Sequence, residues 1–258
     1  MSLNPKIPAW RGQRVWVIGA STGIGAAVAR DLINAGARVV LSARSRNRLD
    51  AIAKGTDAVV APLDITDRAA VLATATKVRD ALGTLDLVIV VAGTHSPMRA
   101  DQFDRAKADQ LLAVNLVGPL NCLEAVLPTL LKQRRGGIAL VASVAGYRGL
   151  PQALIYGPTK AALIHLAEGL YLDLRRHGIG VYLVNPGFVD TPLTQRNDFA
   201  MPALMTAEKA ARRTLDGIAA GRFETHYPRR FTGWLKLLRI LPYPAYFWTV
   251  RRFTGAGL

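Results

Sequence analysis

Cysteine is almost absent from this chain, whose only thiol is Cys122. A lone cysteine excludes an intramolecular disulfide framework and is compatible with a reducing compartment. Histidine is also scarce, and its four copies are too scattered to predict a metal cluster. The sequence therefore predicts no metal site, and a fold held together by packing.

Segments that target or anchor a protein are missing as well. Met1 to Arg11 lack the apolar stretch of a signal peptide, and no run of about 18 apolar residues indicates a membrane span. Half of the 258 residues are apolar, and neither internal repeats nor linkers are visible. This length suits one α/β domain with a substantial core. We therefore expect a single domain over 1–258, located in the cytoplasm.

Acidic residues are few: 18 Asp and Glu stand against 33 Lys and Arg, for a formal net charge of +15. Such an excess is typical of proteins that bind nucleic acid, a membrane surface or an anionic ligand. The sequence shows no helix-turn-helix pattern, zinc spacing or stacking platform, so we expect no nucleic-acid partner. A basic surface without a specific ligand is the default interpretation for most of this charge.

The chain does contain a glycine-rich turn between a predicted strand and a predicted helix. The apolar run Arg14–Ile18 leads into Gly19-Ala20-Ser21-Thr22-Gly23-Ile24-Gly25, and helical spacing follows from Ala26 to Ala35. In this context backbone N–H groups and the helix N-terminus bind a pyrophosphate, and the glycines allow its close approach. The pattern predicts a dinucleotide site.

The second predicted strand, Arg38–Ala43, ends without the carboxylate that would accept the ribose 2′-OH of NAD. Arg44 follows instead, with Arg46 and Arg48 close behind. An arginine fork donates two parallel hydrogen bonds to a phosphate. A solvated basic loop is the alternative, but we favour NADP(H) over NAD(H), with Ser21 and Arg44 binding the 2′-phosphate.

Tyr156 and Lys160 are four residues apart in a segment with helical spacing, so their side chains would stand side by side. A fixed ammonium favours the phenolate and lowers the tyrosine pKa from about 10, which suits a general acid/base. Alone, the pair is equally typical of an exposed helix. Ser143 ends the apolar run Ile138–Ala142, and a strand there would bring its hydroxyl to the same sheet edge.

The glycine turn, Ser143 and the Tyr156/Lys160 pair, in this order, resemble the short-chain dehydrogenase/reductase family from about Arg14 to Thr191. The resemblance implies a catalytic set of Asn115, Ser143, Tyr156 and Lys160. In such a set the tyrosine protonates the alkoxide, the serine holds the carbonyl oxygen and the lysine tunes the tyrosine. The asparagine marks a helix bulge and completes a proton relay through water.

The resemblance also implies a wider set of cofactor contacts along the carboxyl edge of the sheet. These are Gly19, Ser21, Thr22, Gly23, Ile24, Gly25, Arg44, Asp64, Ile65, Ala92, Gly93, Asn115, Tyr156, Lys160, Pro186, Gly187, Val189 and Thr191. The chain departs from the family pattern at Ile18, where a threonine is usual, and at Val90 and Val91, where two asparagines are usual. The missing amides leave open how that strand end is held.

The alternation of apolar runs and helical spacing predicts a Rossmann-like, doubly wound α/β fold with a mostly parallel seven-stranded sheet in the order 3-2-1-4-5-6-7. The remaining predicted strands are 57–61, 87–91, 136–143, 180–185 and 222–227. The remaining predicted helices are 66–81, 101–134, 151–177 and 207–221, and 198–206 is a predicted lid.

Residues 228–258 form a basic, aromatic C-terminal extension. From Arg222 onward seven Lys and Arg accompany one acid, Glu224, and Pro242 and Pro244 interrupt the helical spacing. This composition suits a membrane interface, a cap over an apolar pocket or a dimer contact. We favour the cap or contact over the membrane. The family resemblance further implies a homodimer through the helices that carry Asn115 and Tyr156.

The predicted function is an NADP(H)-dependent oxidoreductase that transfers hydride between the nicotinamide and a carbonyl or secondary alcohol. Leu150, Pro151 and Phe188 suggest an apolar substrate. Two alternatives stay open: a membrane-surface-associated lipid-modifying reductase, and a nucleotide-sensing protein without turnover.

Overall fold

The computed structural model describes residues 2–196 and 201–255. Within these residues the strands are β1 Arg14–Ile18, β2 Arg38–Ser42, β3 Val59–Val60, β4 Leu87–Val90, β5 Gly137–Val141, β6 Gly180–Pro186, β7 Val189–Asp190, β8 Met205–Thr206 and β9 Glu224–Tyr227. The helices are α1 Gly23–Asn34, α2 Arg46–Ala53, α3 Arg68–Leu82, α4 Arg105–Leu112, α5 Gly118–Gln133, α6 Tyr156–Leu174, α7 Ala207–Ala219, α8 Arg229–Arg239 and α9 Tyr243–Thr254.

Seven strands form one sheet in the order β3-β2-β1-β4-β5-β6-β9, and every neighbouring pair is parallel. The predicted order is therefore confirmed, with β9 as the seventh strand. The strands β7 and β8 form a second, two-stranded parallel sheet that the sequence did not predict. The predicted third strand, 57–61, is shortened to the two residues of β3.

The sheet separates two layers of packing. On one face α1, α2 and α7 contribute Leu32, Leu49 and Ile218 to a buried cluster. On the other face α3, α5 and α6 contribute to a second buried cluster, which includes Val78 of α3 and Leu130 of α5. Because both faces of the central strands are covered, β4 and β5 are buried along their whole length.

The long helix predicted over 101–134 is interrupted twice. A 3₁₀ turn, Ala100–Gln102, precedes α4, whose first turn is capped by Asp104 accepting a 3.0 Å hydrogen bond from the Lys107 N–H. A five-residue π turn, Ala113–Val117, then separates α4 from α5. The helix predicted over 66–81 begins at Arg68 instead. Asp67 is its N-cap, because its side chain accepts a 3.0 Å hydrogen bond from the Ala70 N–H.

The helical segment Arg105–Gln133 is long and apolar enough to cross a membrane, judged by length and composition alone. The sequence did not predict such a segment. Half of its most apolar window is buried inside the structure.

The C-terminal extension folds as two helices, α8 and α9, with the predicted interruption between them. Pro242 directly precedes α9 and Pro244 occupies its first turn, where a missing N–H leaves no hydrogen bond unmade. The helix α8 packs beside β9, and Phe231 lies against Phe188 with ring centroids 5.7 Å apart. The predicted lid over 198–206 lies partly outside the described residues, and its last two residues form β8.

Candidate active site

The glycine turn brings the ends of two strands together more closely than other residues allow. Gly19 has φ +98°, and a Cβ there would lie 2.4 Å from the Ala92 nitrogen. A Cβ on Gly25 would lie 2.1 Å from the Gly19 carbonyl oxygen. The exposed backbone and the N-terminus of α1 thus form the floor of a cleft that fits a dinucleotide pyrophosphate.

This cleft, of about 650 Å³, lies at the carboxyl ends of the strands. All the predicted site residues but Asn115 line it, namely Gly19, Ser21, Thr22, Gly23, Ile24, Gly25, Arg44, Asp64, Ile65, Ala92, Gly93, Ser143, Tyr156, Lys160, Pro186, Gly187, Val189 and Thr191. Residues separated by more than 170 positions in the chain are therefore brought to one concave surface.

At one end of the cleft, basic and hydroxyl side chains lie around the start of α2. Arg44, Ser45 and Arg48 all line this end. Nearby, Asp64 has a lowered pKa, chiefly because its carboxylate accepts a hydrogen bond from the Thr66 N–H, with Arg44 adding attraction. The sequence shows Arg48 close behind Arg44 but did not assign it to the site. Its place in the first turn of α2, which starts beside Arg44, could have indicated that it lines the cleft.

At the other end lie Ser143, Tyr156 and Lys160. The Lys160 ammonium donates a 3.1 Å hydrogen bond to the Val141 carbonyl oxygen and lies 5.8 Å from the centroid of the Tyr156 ring. Ser143 follows β5, and its hydroxyl oxygen accepts a 3.1 Å hydrogen bond from the Ala145 N–H. The end of β5 therefore lies close to the start of α6, as the sequence predicts.

Burial shifts the pKa of both Tyr156 and Lys160 on α6. It raises the pKa of Tyr156, and the Ser143 hydroxyl opposes this rise. The expectation of a tyrosine pKa lowered by Lys160 is therefore wrong for this structure, since removal of the phenol from water dominates. Burial also lowers the pKa of Lys160 to about 8. The lysine accordingly changes charge near pH 8.

Asn115 lies behind the cleft wall rather than on it. Its side chain is fully buried in the π turn, where its Oδ1 accepts a 2.7 Å hydrogen bond from the Thr94 N–H. Its Nδ2 donates to the Thr94 carbonyl oxygen at 2.8 Å and to the Thr159 hydroxyl at 3.3 Å. This amide thus holds the chain after β4 in place, although Val90 and Val91 occupy the positions of the usual asparagines. In this structure Asn115 therefore supports the cleft wall, and its contact with the cofactor stays a prediction.

Besides Arg48, two further side chains at the site were not predicted. His95 meets Tyr156 edge to face, with ring centroids 4.6 Å apart. Thr194 donates a 2.5 Å hydrogen bond to the Val189 carbonyl oxygen and accepts one from the Thr191 N–H at 3.1 Å. Thr194 therefore shapes the loop that closes one side of the cleft. His95 directly follows the Gly93-Thr94 passage, and that adjacency was the only signal in the sequence.

The C-terminal helices contact the loop that follows Ser143. The Arg148 guanidinium donates hydrogen bonds to the carbonyl oxygens of Leu238 and Leu241, at 2.8 and 2.7 Å. Tyr246 donates a hydrogen bond to the Gly149 carbonyl oxygen. The extension is thus attached to the loop that follows Ser143, beside the site.

Comparison with known proteins agrees with this geometry. A sequence model of the short chain dehydrogenase family matches residues 13–201. An uncharacterized oxidoreductase of Myxococcus xanthus is 33% identical over 241 residues, which cover 92% of this chain and 95% of that protein.

Two solved structures share the fold. One is a short chain dehydrogenase/reductase from Burkholderia phymatum in complex with NAD, at 24% identity and a TM-score of 0.81, covering 88% of this chain and 93% of the other. The other is ElxO with NADP bound, at 22% identity and a TM-score of 0.75, covering 83% and 97%. With more than half of its length matched by the family model, this chain belongs to the short-chain dehydrogenase/reductase family of nucleotide-binding oxidoreductases.

Proposed function

We propose that this protein is an NADP(H)-dependent oxidoreductase that interconverts an apolar carbonyl compound and the corresponding secondary alcohol. The observation that carries the proposal is the grouping of Ser143, Tyr156 and Lys160 in the cleft that also contains the glycine floor. A proton donor, an oxygen ligand and a dinucleotide site on one surface are what carbonyl reduction needs.

The residues present fit the cofactor, because Gly19, Gly23 and the N-terminus of α1 line the cleft where a pyrophosphate would be bound by backbone N–H groups. The nicotinamide, when bound, supplies or accepts the hydride. The chain's own residues supply the proton and bind the carbonyl oxygen. A raised pKa keeps Tyr156 protonated at neutral pH, so it can donate its proton to a developing alkoxide. Ser143 offers that oxygen a hydrogen bond.

Lys160 supplies a positive charge beside the tyrosine. With a pKa of about 8 it is mostly protonated at neutral pH, and its ammonium stabilises the phenolate left after proton donation. Lysine deprotonation at higher pH would remove this stabilisation. Asn115 acts from behind the cleft wall, where its amide bonds Thr94 and Thr159 and holds both in place.

The preference for NADP(H) rests on the residues around the start of α2. The cleft wall there has Ala43 where a carboxylate would favour NAD, and Arg44, Ser45 and Arg48 where a 2′-phosphate would lie. Solved structures of the same fold hold NAD in one case and NADP in another, so this chain's own side chains are the argument.

An apolar substrate is supported by Leu193, which lines the cleft. Phe188 and Phe231 pack together, and Phe231 lies beside the lining residue Gly187. We further propose a cytoplasmic homodimer that uses α5 and α6, because Leu120 and Leu172 on these helices are 43% and 75% exposed.

The proposal is tested by following NADPH absorbance with a panel of apolar and polar ketones. Turnover that is faster with apolar ketones supports it. Tight NADPH binding without turnover of any ketone would instead favour the nucleotide-sensing alternative.

A further inference from the structure

The two C-terminal helices, which lie outside the segment matched by the family model, leave a broad apolar surface uncovered. Its large side chains are between 49 and 82% exposed. They are Trp234, Leu237, Ile240, Tyr243, Phe247, Trp248 and Phe253, here called the tail surface. Such a concentration of exposed apolar side chains on two consecutive helices marks a site of association.

The tail surface sits on helices that are firmly attached to the body of the protein. Lys236 forms an ion pair with Glu224 of β9, and Tyr246 is buried against the loop that contains Gly149. The Arg148 guanidinium lies 4.1 Å from the centroid of the Tyr246 ring. Because these contacts hold one side of each helix, the exposed apolar side is preformed.

The charge around the tail surface has one sign. Arg229, Arg230, Arg239, Arg251 and Arg252 are exposed, and no acidic residue follows Glu224 in the sequence. Glu224, which precedes these helices on β9, is already engaged by Lys236. The surface is therefore complementary to an anionic partner that also accepts apolar side chains.

We propose that the tail surface docks this protein on an anionic phospholipid bilayer. Tryptophan, tyrosine and arginine are the residues that occupy the boundary between headgroups and acyl chains. Basic residues add attraction to anionic headgroups, and arginine keeps its charge in water while its stem packs on apolar groups. A second copy of the chain fits less well, because two-fold pairing of this patch would bring its arginines together without carboxylates.

Docking through this surface would also set the orientation of the active site. Phe231 of α8 packs on Phe188, and α8 and α9 are bonded to the loop after Ser143. The side of the cleft beside these helices would therefore lie close to the lipid surface.

The test uses the full chain with two kinds of vesicle, phosphatidylcholine alone and equal parts phosphatidylcholine and phosphatidylglycerol. Co-sedimentation is expected with the anionic vesicles only, together with a blue shift of tryptophan emission. The R251Q/R252Q variant is expected to lower the partition constant by about thirtyfold, because two charges near the lipid are lost. The W234A/W248A variant is expected to lose both the binding and the blue shift.

Matched control variants lie away from the tail surface. K54Q/K77Q removes two exposed charges near the opposite edge of the sheet, and V59A removes an apolar side chain that is 42% exposed on β3 at that edge. Both controls should bind vesicles like the parent protein. NADPH titration and thermal unfolding of every variant establish that the fold is kept.

Three results would overturn the proposal. The first is equal binding of the parent protein to neutral and anionic vesicles, or to neither. The second is a loss in the controls as large as in the tail variants. The third is a native mass, by light scattering, that halves in W234A/W248A, since the tail surface would then be covered by a second copy.

Discussion

The Tyr147 phenol donates a 2.5 Å hydrogen bond to the Glu224 carboxylate, which links the loop after Ser143 to the last strand of the sheet. Asn185 donates to the same oxygen at 2.8 Å, and Lys236 of α8 pairs with the other oxygen. One carboxylate thus joins four segments: the catalytic loop, β6, β9 and the C-terminal extension.

Replacing Glu224 by glutamine should lower the free energy of unfolding at pH 7 by about 1–3 kcal/mol, because three donors lose a charged acceptor. Burial alone would raise the pKa of Glu224, but hydrogen bonds from Lys236, Tyr147 and Asn185 lower it overall. The stabilisation is therefore present above the unfolded-state pKa and is lost as pH falls through the folded-state value.

Urea unfolding of the parent protein and E224Q at neutral and acid pH measures this effect. The two proteins should converge in stability at acid pH. Tyr147→Phe is the matched control, since it removes one of the three donors and should cost less. A difference that stays constant with pH would contradict the assigned role of the carboxylate.

The buried Lys160 should make stability rise with pH. Its folded-state pKa of about 8 lies below the ordinary value of 10.5, so folding disfavours the ammonium. Below pH 8 both states are protonated and the full penalty, about 3 kcal/mol, applies; above 10.5 both are neutral and it vanishes. Unfolding free energies of the parent protein and Lys160→Met should therefore change relative to each other, in favour of the parent, between pH 8 and 10.5. Parallel pH curves would refute this titration.

Replacing Tyr156 by phenylalanine should lower ketone reduction by about 10²–10⁴-fold, because the ring is kept and the proton donor is lost. NADPH affinity, measured by fluorescence titration, should change little. The control is His95→Phe, which preserves the aromatic contact with Tyr156 and keeps the proposed proton donor. Near-normal turnover by Tyr156→Phe would sink the proposed chemistry.

Cofactor preference should depend on Arg44. Arg44→Asp is expected to weaken NADPH binding by about 10–100-fold relative to NADH, since a charge-assisted contact is replaced by repulsion. Arg46→Asp is the matched control, because Arg46 is exposed, pairs with Asp50 at 3.6 Å and does not line the cleft. Titrations of the parent protein that show equal affinity for both cofactors would rule out the preference.

The sheet order and the glycine floor could be predicted because their signals are local. The run Arg14–Ile18 and the turn after it dictate a strand, a tight bend and a helix within about twenty residues. The proximity of Ser143 to Tyr156 followed from a general rule, that parallel strands end at one edge of a sheet. Such inferences need no knowledge of which side chains meet.

The rest depended on contacts between distant segments. The raised pKa of Tyr156 results from burial, which neighbouring elements create and the Tyr-x-x-x-Lys spacing does not encode. The hidden position of Asn115 depends on Thr94 and Thr159, which are 21 and 44 residues away along the chain. The exposure of Trp234 and Trp248 could not be read from the sequence either, because an apolar helix face looks the same whether or not something covers it.

The π turn Ala113–Val117 also makes the length of its helix matter. A π turn accommodates one residue more than the regular α-helical path, and each residue of an α-helix turns the chain by about 100°. Deleting a single residue here, such as Leu116, would let α4 and α5 join as one regular helix, with both halves close to their present orientation. The change would be concentrated at the bulge itself, where Asn115 would lose the widened turn from which it bonds Thr94. In this segment a one-residue deletion is therefore expected to weaken the support of the cleft wall, although the packing of both helices and every catalytic side chain would be kept.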